Sequence, residues 1–156
     1  MENKKIRNAT PLVYDNIHFK SRLEVMIYKT LSQYGFKVYY EPTKYTIWTG
    51  FKPTIPFYTK DKKTRMLKLD DKKLIDITYT PDFVTEKDNI VIIIEAKGFE
   101  NDVFPYKKKL FRKYIEDINQ ETGQEILFFE IFTKKQLLQA IDIINEYTRN
   151  NTTVAT

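Results

Sequence analysis

Two carboxylates and a lysine are gathered in one short region of this chain. Asp82 lies in the block Tyr79-Thr80-Pro81-Asp82-Phe83, and thirteen residues after it comes Glu95-Ala96-Lys97-Gly98. Side chains alternate along a strand, so Glu95 and Lys97 share one face and Ala96 takes the other. Two carboxylates on a common face can hold one divalent ion through hard oxygen donors at ~2.1 Å. Such an ion polarises a phosphoryl oxygen and lowers the pKa of its bound water. An ammonium beside it steadies the charge that develops as a phosphodiester is attacked. Each piece also has an ordinary reading: Pro-Asp often opens a turn, and Glu-x-Lys on a strand is often a solvent-facing salt bridge. Placement favours a site. The three charges end the most apolar run of the chain, Ile90-Val91-Ile92-Ile93-Ile94, where an unpaired buried charge is costly.

The elements that must position these residues are a hairpin and its flanks. Residues 74–84, broken at Pro81, and 90–96 read as two strands joined by Glu86-Lys87-Asp88-Asn89, a connection suited to an antiparallel pair. With the turn centred between Lys87 and Asp88, Asp82 faces Ile93. Glu95 is then its diagonal neighbour on the same face, ~7–8 Å away. A slip of one residue would send the carboxylates to opposite faces. Pro81 fixes the backbone before Asp82, and Gly98 permits a sharp turn after the site.

Around this hairpin the pattern predicts a helix over 22–34, with Leu23, Ile27, Leu31 and Tyr34 on one stripe, Ser21 as N-cap and Gly35 as the stop. Short strands follow at 37–41 and 45–49. A second helix spans about 106–119 with Tyr106, Leu110, Tyr114 and Ile118 in its apolar stripe. A strand at 125–132 and an amphipathic helix at 134–148 complete the domain. Residues 1–18 read as a loosely docked arm and 149–156 as a flexible tail. The order α-β-β-β-β-α-β-α is that of an α/β (α+β) domain, a mixed central β-sheet flanked by helices.

Composition narrows the chemistry. The chain has 156 residues, one domain's worth, with 42% hydrophobic and 30% charged residues. It contains no cysteine and one histidine, His18, which leaves no thiolate zinc site, cysteine nucleophile or two-histidine metal site within one chain. His18 itself reads as a surface or packing residue. No apolar segment is long enough to span a bilayer, and MENKKIRNAT has no apolar stretch behind its basic start, so a cytoplasmic protein is expected. Four glycines leave no Gly-rich phosphate loop. Net charge is +5, much of it lysine usage of the kind an AT-rich genome produces. Its distribution says more. Residues 50–75 carry eight basic and three acidic residues and read as a long loop or extended β-hairpin over the core. Lys107, Lys108, Lys109, Arg112 and Lys113 lie in a seven-residue run with no acid, and Lys109, Arg112 and Lys113 share a helical face. A solvated face is the plain reading of that run; phosphate tracking is the functional one. Trp48 and its neighbouring tyrosines suit hairpin packing better than base stacking.

Three blocks in order, Phe19-Lys20-Ser21-Arg22-Leu23-Glu24, Tyr79-Thr80-Pro81-Asp82-Phe83 and Glu95-Ala96-Lys97-Gly98, resemble the PD-(D/E)xK nuclease superfamily, most closely the phage endonuclease I (Holliday-junction resolvase) type. The resemblance covers roughly residues 17–132 and implies a restriction-endonuclease-like fold over a single nuclease domain at 19–148, with the basic segment at 50–75 as an insertion. It implies Mg²⁺, replaceable by Mn²⁺, bound by Asp82, Glu95, the Ala96 carbonyl and Glu24, with Lys97 as catalytic lysine. For Glu24 the competing reading is a capping box with Ser21. The resemblance also implies an intertwined homodimer acting on DNA, branched DNA in particular, in a bacterial or phage-infected cell, although the 50–75 insertion lies where that family's dimer bridge falls. DNA contacts are expected from Lys107, Lys109, Arg112, Lys113, Lys62, Lys63 and Arg65. The alternatives are a nuclease of the same fold acting on linear or single-stranded DNA, and a non-catalytic DNA-binding module.

Overall fold

The computed structural model describes residues 11–98 and 101–154. Its centre is a four-stranded mixed sheet in the order β10-β9-β8-β3, formed by β3 (Tyr39–Tyr40), β8 (Phe83–Lys87), β9 (Ile90–Ala96) and β10 (Ile126–Ile131). β10 runs parallel to β9, and the other two pairs are antiparallel. The architecture is therefore α+β, a mixed sheet flanked by helices. α1 (Arg22–Gln33) and α3 (Lys134–Val154) cover one face, and α2 (Phe104–Thr122) covers the other.

β9 follows from its composition. A run of Ile and Val buried on both faces suits a central strand. Ile92 and Ile94 enter a core with Ile27, Leu31, Phe83, Leu137 and Ile141, whereas Ile93 enters a second core with Tyr79, Phe104 and Phe111. Glu95 and Lys97, in step with Ile93, thereby fall on the α2 side.

The β8–β9 turn is tighter than the sequence suggested. Phe83 pairs with Ile94 and Lys87 with Ile90, leaving only Asp88 and Asn89 in the turn. Both have positive φ, 50° and 63°, the geometry of a two-residue turn matched to strand twist, and Asn and Asp tolerate it. The pairing is shifted by two residues from the expected one. Two is the strand period, so every side chain keeps its face.

The N-terminal segment also differs. Residues 1–10 of the expected arm lie outside the described residues. The rest forms a hairpin, β1 (Leu12–Tyr14) against β2 (Ile17–Phe19), turning at Asp15 and Asn16 with φ of 52° and 60°. It docks on α1 through buried Phe19 and a bond from the Tyr28 hydroxyl to Asp15 Oδ2 at 2.9 Å. At the other end, helix α3 continues through Arg149 to Val154, where a flexible tail was expected, and residues 155–156 lie outside the described residues.

Residues 45–79 form one antiparallel arm. β4 (Tyr45–Trp48) pairs with β7 (Ile77–Tyr79) at its root, and β5 (Tyr58–Lys60) pairs with β6 (Leu67–Leu69) towards its tip. Between them Leu74 N–H donates to Phe51 O and Asp70 N–H to Phe57 O. Gly50 is required there, since a Cβ would stand 2.1 Å from the Leu74 carbonyl oxygen. The expected hairpin is present but does not lie over the core. From Phe51 to Ile75 no residue is buried.

Helix α2 rotates relative to its expected stripe. Phe104, Phe111, Tyr114 and Ile115 face the sheet, and Tyr106 is 69% exposed. Phe111 holds this second core together, with the rings of Tyr45, Tyr79 and Phe128 at centroid distances of 5.4, 4.6 and 5.2 Å. Phe111→Ala is expected to lower unfolding stability by ~3–5 kcal/mol, measured by urea denaturation, because the surrounding rings cannot collapse into the cavity.

Candidate active site

The site lies at the C-terminal end of β9, where the start of α1 approaches from one face of the sheet and the start of α2 from the other. Glu95 is buried, and both its carboxylate oxygens are engaged. Lys97 Nζ donates to Oε1 at 2.9 Å and the Tyr79 hydroxyl to Oε2 at 2.5 Å. Lys97 is buried too, its ammonium 3.0 Å from the centroid of the Phe104 ring at the start of α2. This is a buried charge pair inside an aromatic wall, which excludes the solvent-facing salt bridge considered for Glu-x-Lys.

Asp82 continues the register of β8 and stands level with Glu95, not with Ile93. Its Oδ2 accepts the Ala96 amide at 2.7 Å, and its backbone carbonyl accepts the Glu41 N–H at 2.8 Å. Burial, then the charge of Glu95 and that of Glu24, push the Asp82 carboxyl up to about 8, against the opposing pull of the Ala96 N–H and Lys20. The three carboxylates thus share one electrostatic environment short of positive charge.

Ser21 caps α1, but the Glu24 side chain does not close the expected capping box. Ser21 is the N-cap of α1, its Oγ accepting the Glu24 N–H at 3.2 Å. Glu24 turns back as a capping box would, but its Oε2 meets the Lys20 N–H, at 2.7 Å, one residue before the N-cap. The same oxygen accepts the Tyr40 hydroxyl at 2.8 Å. A buried carboxylate with these partners is held in place beyond what a helix cap needs.

The hard carboxylate oxygens and the raised Asp82 carboxyl match the chemistry of a divalent cation such as Mg²⁺, which would relieve the mutual repulsion. Among the described residues no group of three or more acidic, histidine or cysteine side chains is placed so that it could hold a metal ion, so Asp82 and Glu95 would need the Ala96 carbonyl or water beside them. Gly98 is not needed for a turn, since its φ is not positive and a Cβ there would meet nothing within 4 Å.

The fold brings Glu24, Asp82, Glu95, Ala96 and Lys97 together, and adds four residues that the sequence reading passed over. Tyr40 and Tyr79 are two. Lys20 and Glu41, which form an ion pair beside Asp82, are the others. Glu41 has a φ of 44°, rare for a residue other than glycine. Tyr79 stands three residues before Asp82 inside the quoted block, where alternation would set it on the opposite face; the break at Pro81 undoes that parity, and Tyr40 gave no signal.

The basic residues are spread over two elements. Lys62, Lys63 and Arg65 occupy the exposed turn between β5 and β6, where Asp61 Oδ1 accepts the Lys63 and Thr64 amides. On α2, Lys109, Arg112 and Lys113 are exposed and Lys107 is half-buried. Lys113 is paired with Asp117 one turn on, and Lys108 reaches Glu130 at 2.8 Å, so this run is less uniformly cationic than its sequence. His18 is exposed on β2, and Trp48 packs edge-on against Phe51.

Residues 4–129 match the family model DUF1064, described as a protein of unknown function. The chain belongs to the DUF1064 family. The matched span takes in Glu24, the arm, Asp82, Glu95 and Lys97, and it ends inside β10 before α3. Comparison with the curated proteins finds no match. No helix among the described residues is long and apolar enough to cross a membrane.

The electrostatics of Asp82 carry a sign. Its folded value lies above the ordinary 3.8, so the unfolded chain releases this proton first and the metal-free fold is progressively disfavoured as pH rises from about 4 to about 8. Asp82→Asn, which keeps an oxygen for the Ala96 amide, is expected to raise the melting temperature in EDTA by about 2–4 °C at pH 8. The difference should vanish near pH 4; calorimetry at both pH values checks it.

Proposed function

We propose that this protein is a Mg²⁺-dependent DNA endonuclease of restriction-endonuclease-like fold and PD-(D/E)xK type, which acts as a homodimer on branched DNA such as a four-way junction. One observation carries the reading: Asp82 and Glu95 stand level at the end of the central strand, with Glu24 beside them and a buried Lys97 bonded to Glu95. A buried lysine at a strand end is costly to the fold, and its pairing with Glu95 and Phe104 keeps the ammonium beside the carboxylates.

Asp82 and Glu95 would hold the metal, with Glu24 and the Ala96 carbonyl completing its protein ligands; Mn²⁺ is expected to substitute. When bound, Mg²⁺ supplies Lewis-acid polarisation of the phosphoryl oxygen and a water of lowered pKa. Asp82, whose carboxyl is raised, would lose its proton to solvent when a cation is held there. Lys97, fixed between Glu95 and the Phe104 ring, presents its ammonium to the charge that grows on the phosphate. Lys107, Lys109, Arg112 and Lys113 on α2, together with Lys62, Lys63 and Arg65 at the arm's turn, would follow the phosphate backbone outward from the cut. Action on DNA in a bacterial or phage-infected cell places the protein in the cytoplasm.

The arm supports the homodimer. Ten of the exposed large apolar side chains lie between Phe51 and Ile77, among them Ile55 at 80% exposure, Leu67 at 77% and Ile75 at 81%. An isolated two-stranded ribbon is marginal in water, so these side chains call for a second surface. Burying them would remove on the order of 600–800 Å² per chain, close to what each partner of a stable complex contributes.

Incubation with a four-way junction, a linear duplex and a single strand, each in Mg²⁺ and in EDTA, tests the activity. Paired symmetric cuts in the junction alone are expected, lost in EDTA and in Lys97→Met, with junction affinity within about threefold of the parent. Equal cleavage of all three substrates would favour a nuclease without structure selectivity, and binding without cleavage would favour a DNA-binding module. Replacing residues 52–74 by a short Gly-Ser turn is expected to convert a dimer to a monomer in sedimentation equilibrium; an unchanged mass would remove the arm from the interface.

A further inference from the structure

The nuclease reading leaves two hydroxyls at the site without a task. Tyr40 donates to Glu24 Oε2 at 2.8 Å, and Tyr79 donates to Glu95 Oε2 at 2.5 Å. Glu24 and Glu95 come from opposite faces of the sheet, so each tyrosine secures the carboxylate on its own side of Asp82. Neither bond arises from local geometry, because the partners are 16 residues apart in both cases.

Both rings are clamped. Tyr79 has Phe104, Phe111 and Phe128 around it at centroid distances of 6.2, 4.6 and 6.4 Å. Tyr40 stacks at a tilt on Phe19 and Phe83 at 4.7 and 5.4 Å. A tyrosine has two rotatable side-chain angles, and with the ring packed the hydroxyl points in one direction. Each hydroxyl therefore fixes where one carboxylate oxygen sits, and with it the orientation of the group. For Glu24 the Lys20 amide falls on the same oxygen as Tyr40, and for Glu95 Lys97 takes the second oxygen.

Resting on the nuclease reading above, we propose that Tyr40 and Tyr79 are paired positioning residues. Each orients one metal-binding carboxylate by donating a hydrogen bond to it, and neither touches the metal or the substrate. Tyr79 does so from β7 at the root of the arm, where it pairs with Tyr45, so the arm's seating on α2 and the placement of Glu95 are one packing unit.

The test is Tyr40→Phe and Tyr79→Phe, which remove the hydroxyl and keep the ring. Mn²⁺ binding to the DNA-free full chain, read by titration calorimetry, reports on the site without needing turnover. Loss of an outer-sphere partner of this kind typically weakens metal binding 10–100-fold, and that loss is expected in each variant. Junction affinity in EDTA should stay within about twofold of the parent, and raising Mn²⁺ should recover cleavage at least in part. A folded variant, verified by its thermal melt, that binds Mn²⁺ as tightly as the parent overturns the proposal for that tyrosine. If one variant fails to fold, the other decides the outcome. A parent chain that binds no Mn²⁺ and cuts no DNA overturns the nuclease reading itself, whereas a parent that does both beside unaffected variants overturns only the positioning role.

Discussion

The β8–β9 pairing is the constraint on which the rest of the site depends. Asp88 and Asn89 accept positive φ, so the turn closes with two residues and Phe83 meets Ile94. Everything downstream inherits that register. Asp82 reaches the level of Glu95 and takes the Ala96 amide, and Glu95 and Lys97 project towards α2 because Ile93 does. A register shifted by one residue would turn Glu95 and Lys97 towards the core of α1 and α3, where their charges would meet Ile27, Leu137 and Ile141 instead of Tyr79 and Phe104.

Burial of like charges comes next. Three carboxylates gathered at a strand end oppose folding, and the chain offsets this with donors. Tyr40 and the Lys20 amide serve Glu24, the Ala96 amide serves Asp82, and Tyr79 with Lys97 serves Glu95. The compensation is incomplete at Asp82, whose carboxyl still lies far above the ordinary carboxylate range. Residual repulsion of this kind is local instability kept in place, a pattern characteristic of function more than of stability.

The arm shows the same logic on a larger scale. Its root is a core element, with Tyr45 and Tyr79 packed on Phe111, while its outer half exposes apolar side chains interleaved with charged ones. Tyr79 belongs to both the arm and the site.

Much of this was legible in the chain. The 3.6-residue spacing of α1, the unbroken Ile-Val run of β9 and the blocks around Asp82, Glu95 and Lys97 are local patterns that the fold keeps, whereas the four-residue repeat of α2 is not the face it buries. The mixed sheet followed from the order of the elements, and the shared face of Asp82 and Glu95 followed from strand parity, which a two-residue shift leaves untouched. Tertiary structure alone decided what depends on distant partners. Tyr40 and Tyr79 meet carboxylates 16 residues away, Glu24 turns past the N-cap to the Lys20 amide and Tyr40, and α2 turns Phe111 inward because the rings of Tyr45, Tyr79 and Phe128 wait there. Lys108 and Lys113, identical in kind to their neighbours along the chain, are set apart by Glu130 and Asp117. Periodicity along a chain records which face a residue takes; the partner it meets on that face is fixed only when other elements pack against it.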